Sequence, residues 1–136
     1  MKRIALIALL LTLLLALPAL ATEADTDTYT WDGVTFELTS VTEDLGDWGS
    51  QLISPEGKWV MVVLTVTDGE IEVSALQDRI IDNGAVTLDG ATAKTLTAQG
   101  IRISEDNKAM AMGIINVFFD VPADLDTAQA AVNIAQ

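Results

Sequence analysis

Carboxylates are the most chemically capable side chains in this sequence, because it contains no histidine and no cysteine. Twenty acidic residues stand against seven basic ones, and many of the acids lie in short clusters. Calcium takes six to eight oxygen ligands, so clustered loop carboxylates are the pattern that a calcium site needs. Solvated acids on a soluble surface are the simpler interpretation. The candidate calcium ligands, both sets beside predicted strand ends, are Glu43, Asp44 and Asp47, and Asp120, Asp124 and Asp126.

Catalysis has few residues available to it. The usual general base near neutral pH and the thiol nucleophile are both missing. Paired carboxylates can hydrolyse glycans, with one acid protonated and the other ionised. The sequence places no such pair beside an aromatic platform, and it has only three tryptophans. We therefore expect no enzyme and no cofactor other than calcium, and a carboxylate-dependent glycan hydrolase is the least favoured function.

The charge of the chain limits its partners. Its formal net charge is −13 at pH 7. Such a charge repels the phosphate backbone, on which most of the affinity for nucleic acids depends. Nucleic acid is therefore excluded as an expected partner.

The N-terminal segment has the pattern of an export signal. Lys2 and Arg3 precede an apolar run, residues 4–17, and Ala19-Leu20-Ala21 follows Pro18. A charged start, an apolar centre and small residues at alternate positions are typical of a secretory signal peptide. We predict a signal peptide over residues 1–21, with an uncleaved membrane anchor as the alternative. The mature protein is then expected outside the cytoplasmic membrane, without membrane insertion and without a cysteine for lipid attachment.

The remaining chain predicts a small β protein after a flexible acidic arm, residues 22–28. Within residues 29–136, the strongest strand patterns are Trp59 to Thr67 and Met110 to Val121. Turn signals such as Asp32-Gly33 recur every 8–12 residues, which favours an antiparallel sandwich of about seven strands. Ile71 to Asp82 is compatible with either a helix or a strand. The predicted fold class is all-β, an immunoglobulin-like antiparallel β-sandwich.

Three segments carry a resemblance to a known family. Glu56-Gly57-Lys58-Trp59-Val60-Met61-Val62 enters the first long strand, Ile81-Asp82-Asn83-Gly84 lies in the middle, and Val117-Phe118-Phe119-Asp120-Val121-Pro122 comes late. In this order they resemble the telokin-like, immunoglobulin-like extracellular domains of Gram-positive bacterial secreted proteins and lipoproteins. The resemblance covers roughly residues 34–134 and implies a non-enzymatic module. The chain departs from the family in lacking the lipid-carrying cysteine and in having Asp68 where asparagine usually ends the strand.

The two long strands are apolar on both faces, although a strand that meets water on one side should alternate with polar residues. A partner could cover the second face, and methionine and tryptophan suit such a contact. Alternatively the chain covers it with its own segment, residues 42–54, or with a short helix near residues 76–81. The function predicted is a secreted binding module that contacts a protein, an envelope component or a second copy, with a calcium-dependent adhesion or structural domain as the alternative. The predicted interaction face consists of Trp59, Met61, Val63, Met110, Met112, Ile114 and Phe118.

Overall fold

The computed structural model describes residues 28–136, so the predicted signal peptide and nearly all of the acidic arm lie outside the described residues. The first strand begins at Thr28, one residue earlier than predicted. The strands are β1 Thr28–Trp31, β2 Val34–Thr42, β3 Lys58–Asp68, β4 Ile71–Glu72, β5 Val86–Leu88, β6 Ala91–Thr92, β7 Thr95–Ile103, β8 Ala109–Val121 and β9 Val132–Ile134. A 3₁₀ helix spans Gly46–Gln51, and the α-helix α1 spans Val73–Gln77.

The strands form an antiparallel sandwich of two unequal sheets, which confirms the predicted all-β antiparallel sandwich. In the large sheet the order is β1-β2-β3-β8, and β7 pairs with the other edge of β8. The short strand β4 pairs with the beginning of β8 on the edge that β3 occupies farther along. The small sheet has the order β6-β5-β9. Nine strands are found in the described residues where about seven were predicted, and four of the nine have only two or three residues.

The hydrophobic core lies between the two sheets. One face of β3 contributes Val60, Val62 and Leu64, which are fully buried. The small sheet closes this face with Val86 and Leu88, among others. The core residues of the described part run from Trp31 to Ile134, so residues 28–136 carry a hydrophobic core of their own.

The ambiguous segment, residues 71–82, is mainly helical. After the two residues of β4, α1 begins and continues as a wider π-helical turn over Asp78–Asp82. Leu76 and Ile80, four residues apart, are both fully buried in the core. This spacing places both side chains on one side of a helix, where they close one end of the sandwich.

Two glycine positions shape the large sheet. The predicted Asp32-Gly33 hairpin is confirmed: Trp31 pairs with Val34, and both turn residues have positive φ, 50° and 81°. This is the conformation that suits a two-residue hairpin turn. At Gly100, β7 continues through a β-bulge with a φ of 69°. In the described part of the chain, no helix is long and apolar enough to cross a membrane.

Candidate functional site

The structure places all seven residues of the predicted interaction face on one side of the large sheet. We call this side, which faces away from the small sheet, the outer face. Met61 of β3 lies opposite Phe118 of β8, and Phe118 in turn lies opposite Thr95 of β7. The next row joins Val63 to Asn116. The shared face therefore follows directly from the strand register.

Part of the outer face is covered by the chain itself. The covering segment, residues 44–53, includes the 3₁₀ helix and shares a cavity of about 460 Å³ with Met61 of β3 and Gln99 of β7. Since β8 lies between these two strands, the covering segment crosses over it. Phe118 is accordingly fully buried, although it does not belong to the core between the sheets. Including Phe118 in a contact surface was therefore wrong, because its side chain has no exposed area.

Two hydrogen bonds hold this covered region together. The Trp59 indole Nε1 donates to the Ile53 carbonyl at 2.8 Å, which ties the end of the covering segment to β3. Asn116 is the one buried polar side chain of the described residues, and its Nδ2 donates to the Thr97 Oγ1 at 3.2 Å. Burial of an amide is tolerated because this bond replaces one to water. Two segments of the chain were predicted to cover this face, residues 42–54 or a short helix near residues 76–81. The first of them is found here, whereas the helix α1 packs on the other face.

The far end of the β7–β8 hairpin is not covered. Met112 and Ile114, on the outer face, are 48% and 38% exposed. On the opposite face, Ile101 and Ile103 are 48% and 63% exposed. We call these four residues the hairpin patch. The sequence pattern indicated the first two residues but not the isoleucines, because the bulge at Gly100 changes which side of the strand they face.

The predicted calcium ligands are engaged within the protein. Asp120 accepts hydrogen bonds from the backbone N–H groups of Glu56 and Gly57, at 2.8 and 3.0 Å. Glu43 accepts from the Lys58 ammonium and from the Thr127 hydroxyl, the latter at 2.8 Å. Each carboxylate therefore fastens two distant segments of the chain to each other.

The remaining candidates form no site either. Asp44 and Asp126 accept backbone N–H bonds from residues two positions ahead, which are local turn contacts. Asp47 and Asp124 are exposed. No three acidic side chains anywhere in residues 28–136 come together in a way that could hold a metal ion. The two predicted clusters are thus not assembled, because the chain uses their best-placed members for its own hydrogen bonds.

An open cleft of about 820 Å³ combines an aromatic side chain with acids. Trp59, Glu56, Asp120 and Lys94 all line it. A glycosidase needs one carboxyl group that burial keeps protonated and that serves as the general acid. Glu56 is exposed, and the two backbone N–H groups that bind Asp120 lower the pKa of its carboxyl. The arrangement does not supply the protonated acid that the glycan hydrolase alternative requires.

The hydrogen bonds to Asp120 predict a pH dependence of stability. Because the pKa of Asp120 is lower in the folded protein, the stability it contributes is complete above its unfolded pKa, about 3.9. That contribution is lost as the pH falls through the lower folded value. Asp120→Asn is expected to be less stable than the wild type at pH 7, and the difference should shrink towards pH 3. Urea unfolding across this range measures both curves.

Asp124→Asn is the matched control for this measurement. Asp124 is an exposed carboxylate four residues after Asp120, beyond Pro122. At pH 7 its free energy of unfolding is expected to stay within about 0.5 kcal/mol of that of the wild type, as is usual for an exposed substitution. A difference between Asp120→Asn and the wild type that does not change with pH would contradict the assigned role of the Asp120 charge.

Comparison with protein-family models finds no match for the chain, and comparisons with curated proteins and with solved structures find none either. The telokin-like resemblance therefore stays a prediction. The function has to be inferred from the surfaces and contacts of the described residues.

Proposed function

We propose that the chain is a secreted, non-enzymatic binding module that contacts a protein or another envelope component through the hairpin patch. One observation carries the proposal: four of the five exposed large hydrophobic side chains in residues 28–136 belong to this single hairpin. The fifth, Ile53, lies alone in the covering segment. Single exposed apolar side chains are ordinary on protein surfaces. Four on one hairpin, two on each of its faces, leave both faces of its far end available for contact.

The polar environment of the hairpin patch supports this role. Two ion pairs lie at this end of the hairpin, Arg102 with Glu70 and Lys108 with Glu72. An apolar centre with charged side chains around it is the usual composition of a protein interface. The covering segment reaches Met61, and Phe118 is fully buried, so the contact surface is smaller than the seven residues that the sequence suggested.

The proposed location depends on the N-terminal pattern of residues 1–21. A positively charged start and an apolar run are the features of a signal for export. The all-β sandwich agrees with the predicted resemblance to telokin-like extracellular domains, which supports a binding role for the module. No arrangement of carboxylates in the described residues favours calcium-dependent adhesion over this proposal.

Affinity capture tests the proposal. Residues 22–136 are immobilised and exposed to an envelope extract of the source cells, beside a variant that carries Met112→Lys and Ile114→Lys. We expect the wild type to retain a specific component and the variant to lose it, because two charges in an apolar contact must be desolvated on binding. The captured component is then purified, and its affinity for both forms is measured by calorimetry.

Ile53→Lys is the matched control, since it places the same charge at the exposed apolar residue outside the hairpin. This control is expected to bind like the wild type. If the hairpin variant binds the purified component as tightly as the wild type, or if nothing is retained by any form, the proposed contact surface is wrong. Circular dichroism and thermal unfolding establish that each variant remains folded.

A further inference from the structure

Strand β7 has a free edge. Among residues 28–136 it pairs with β8 on one side and with no strand on the other. Its second half, Gln99 to Ile103, is exposed throughout. The unpaired N–H and C=O groups of such an edge are a template on which another strand can add.

The one charge in this part of β7 does not protect the edge. Lysine and arginine often prevent pairing at sheet edges by pointing into solvent. Here the Arg102 guanidinium instead binds Glu70: its Nε lies 2.8 Å from the Glu70 Oε2, and a second nitrogen binds the other carboxylate oxygen. Because Glu70 immediately precedes β4, which lies beyond β8, the arginine side chain reaches back across the hairpin and away from the free edge.

The charge distribution favours a second copy of the chain as the partner of this edge. Two molecules of net charge −13 repel each other over most of their surfaces. Between Asp89 and Glu105, however, the chain contains no acidic residue. Strand β7 lies entirely within this stretch, so it is the edge at which two copies meet with the least repulsion.

We propose that β7 pairs antiparallel with β7 of a second copy, so that the two large sheets become one continuous sheet. This inference rests on the proposed function, since it uses the hairpin as a contact surface and names the second copy as an occupant. The twofold axis passes between Gln99 and Gly100. An antiparallel arrangement of identical strands is self-complementary, which a closed twofold dimer requires.

The bulge at Gly100 determines this register. Because of the bulge, Ile101 pairs with the inward-facing Ala111, so the two exposed isoleucines face the same side as Leu96 and Ala98. Antiparallel partners must have side chains on the same face. With the axis at Gln99 and Gly100, Ala98 lies opposite Ile101 of the second copy, and Leu96 lies opposite its Ile103. Each exposed isoleucine thus gains an apolar neighbour.

The same register places opposite charges at both ends of the ladder. Lys94 is the only basic side chain in the described residues that makes no ion pair with an acid. Counting outward from the axis, Lys94 of one copy lies opposite Glu105 of the other. By symmetry this contact occurs twice. The unpaired lysine and the acidic turn of the hairpin are therefore complementary between copies.

Sedimentation velocity of residues 22–136, from about 1 µM to about 1 mM, tests the pairing. The wild type is expected to shift from monomer to dimer as the concentration rises. A variant with Ile101→Lys and Ile103→Lys should remain monomeric at every concentration, because each introduced charge would lie opposite an apolar residue of the second copy, Ala98 or Leu96, and would lose its hydration there. Ile53→Lys, the control outside the hairpin, should dimerise like the wild type.

A charge exchange tests the register itself. Lys94→Glu and Glu105→Lys are each expected to weaken the dimer roughly fivefold to tenfold, since each places like charges opposite one another twice. The double variant restores opposite charges and should recover most of the affinity. A heterologous partner has no reason to show this recovery, so the exchange is specific to pairing between copies.

Three results would overturn the inference. Wild-type protein that stays monomeric at the highest concentration excludes the pairing, and so does a dimer that survives the two lysine substitutions in β7. Failure of the charge exchange to restore the dimer excludes the register. None of these results affects whether an envelope component is captured through Met112 and Ile114. Failure of the self-pairing and failure of the proposed function are therefore distinguishable.

Discussion

Gly57→Ala is expected to lower the free energy of unfolding by about 3 kcal/mol or more, at or above the usual range for overpacking. An alanine Cβ at this position would lie 1.9 Å from the carbonyl oxygen of Val121 and 3.1 Å from the nitrogen of Ala123. Both are backbone atoms that no rotamer change can move. The turn must therefore shift away from the end of β8, which also breaks the hydrogen bonds from Glu56 and Gly57 to Asp120.

Gly49→Ala is the matched control for this change. A Cβ at Gly49 meets only the Leu45 side chain, at 3.7 Å, which is an ordinary contact. Neither glycine has a positive φ, so the comparison isolates the effect of space from that of backbone strain. We expect Gly49→Ala to remain within about 0.5 kcal/mol of the wild type in urea unfolding. Equal stabilities of the two variants would show that the close approach to Val121 is not a constraint.

Local patterns predicted the two long strands and the first hairpin correctly. The run of valine and threonine in Trp59 to Thr67 and the turn chemistry of Asp32-Gly33 depend on neighbouring residues only, and both elements are found as expected. The segment 71–82 was ambiguous because its apolar residues fit a strand or a single helical turn. Its helical state depends on a core that accepts Leu76 and Ile80 together. That information lies in other segments of the chain.

The acidic clusters show why candidate sites were harder to predict. Sequence spacing brought Asp120 together with Asp124 and Asp126, but the hydrogen-bond partners of Asp120 lie more than 60 residues away. Glu43 likewise meets Lys58 and Thr127, which no spacing rule connects to it. Carboxylates that were assigned to a metal therefore have a structural role. A sequence reveals where acids are concentrated, but not which donors the fold will bring to them.

The apolar second face of β3 and β8 predicted only part of what the structure shows. It indicated that something must cover β3 and β8, but alternation along a strand cannot say how far a covering segment reaches. In the structure that segment protects Phe118 and leaves Met112 exposed on the same strand. The boundary between covered and uncovered residues is set by the length of residues 44–53, and the exposed remainder is the part that is available for binding.

Phe118→Ala is expected to destabilise the protein by about 3–5 kcal/mol, the usual range for removing a buried aromatic side chain. Phe118 is fully buried on the outer face, and the covering segment crosses β8 on this face. We expect the cavity left behind to open beneath that segment and to remove apolar contact between the segment and β8. Chemical denaturation measures the loss of stability. A loss below about 1 kcal/mol would mean that the covering segment does not pack on Phe118.

Phe119→Ala distinguishes this local effect from a general one. Phe119 is equally buried, but it faces the core between the two sheets. Both variants should lose comparable stability, whereas only Phe118→Ala should increase proteolytic cleavage within residues 44–53 under native conditions, because local opening follows the loss of local contacts. Release of the segment would also expose Met61 and enlarge the apolar surface of the outer face. If the two variants are cleaved at the same rate in this segment, the covering segment is held by contacts other than Phe118, and the limit that it sets on the binding surface has a different cause.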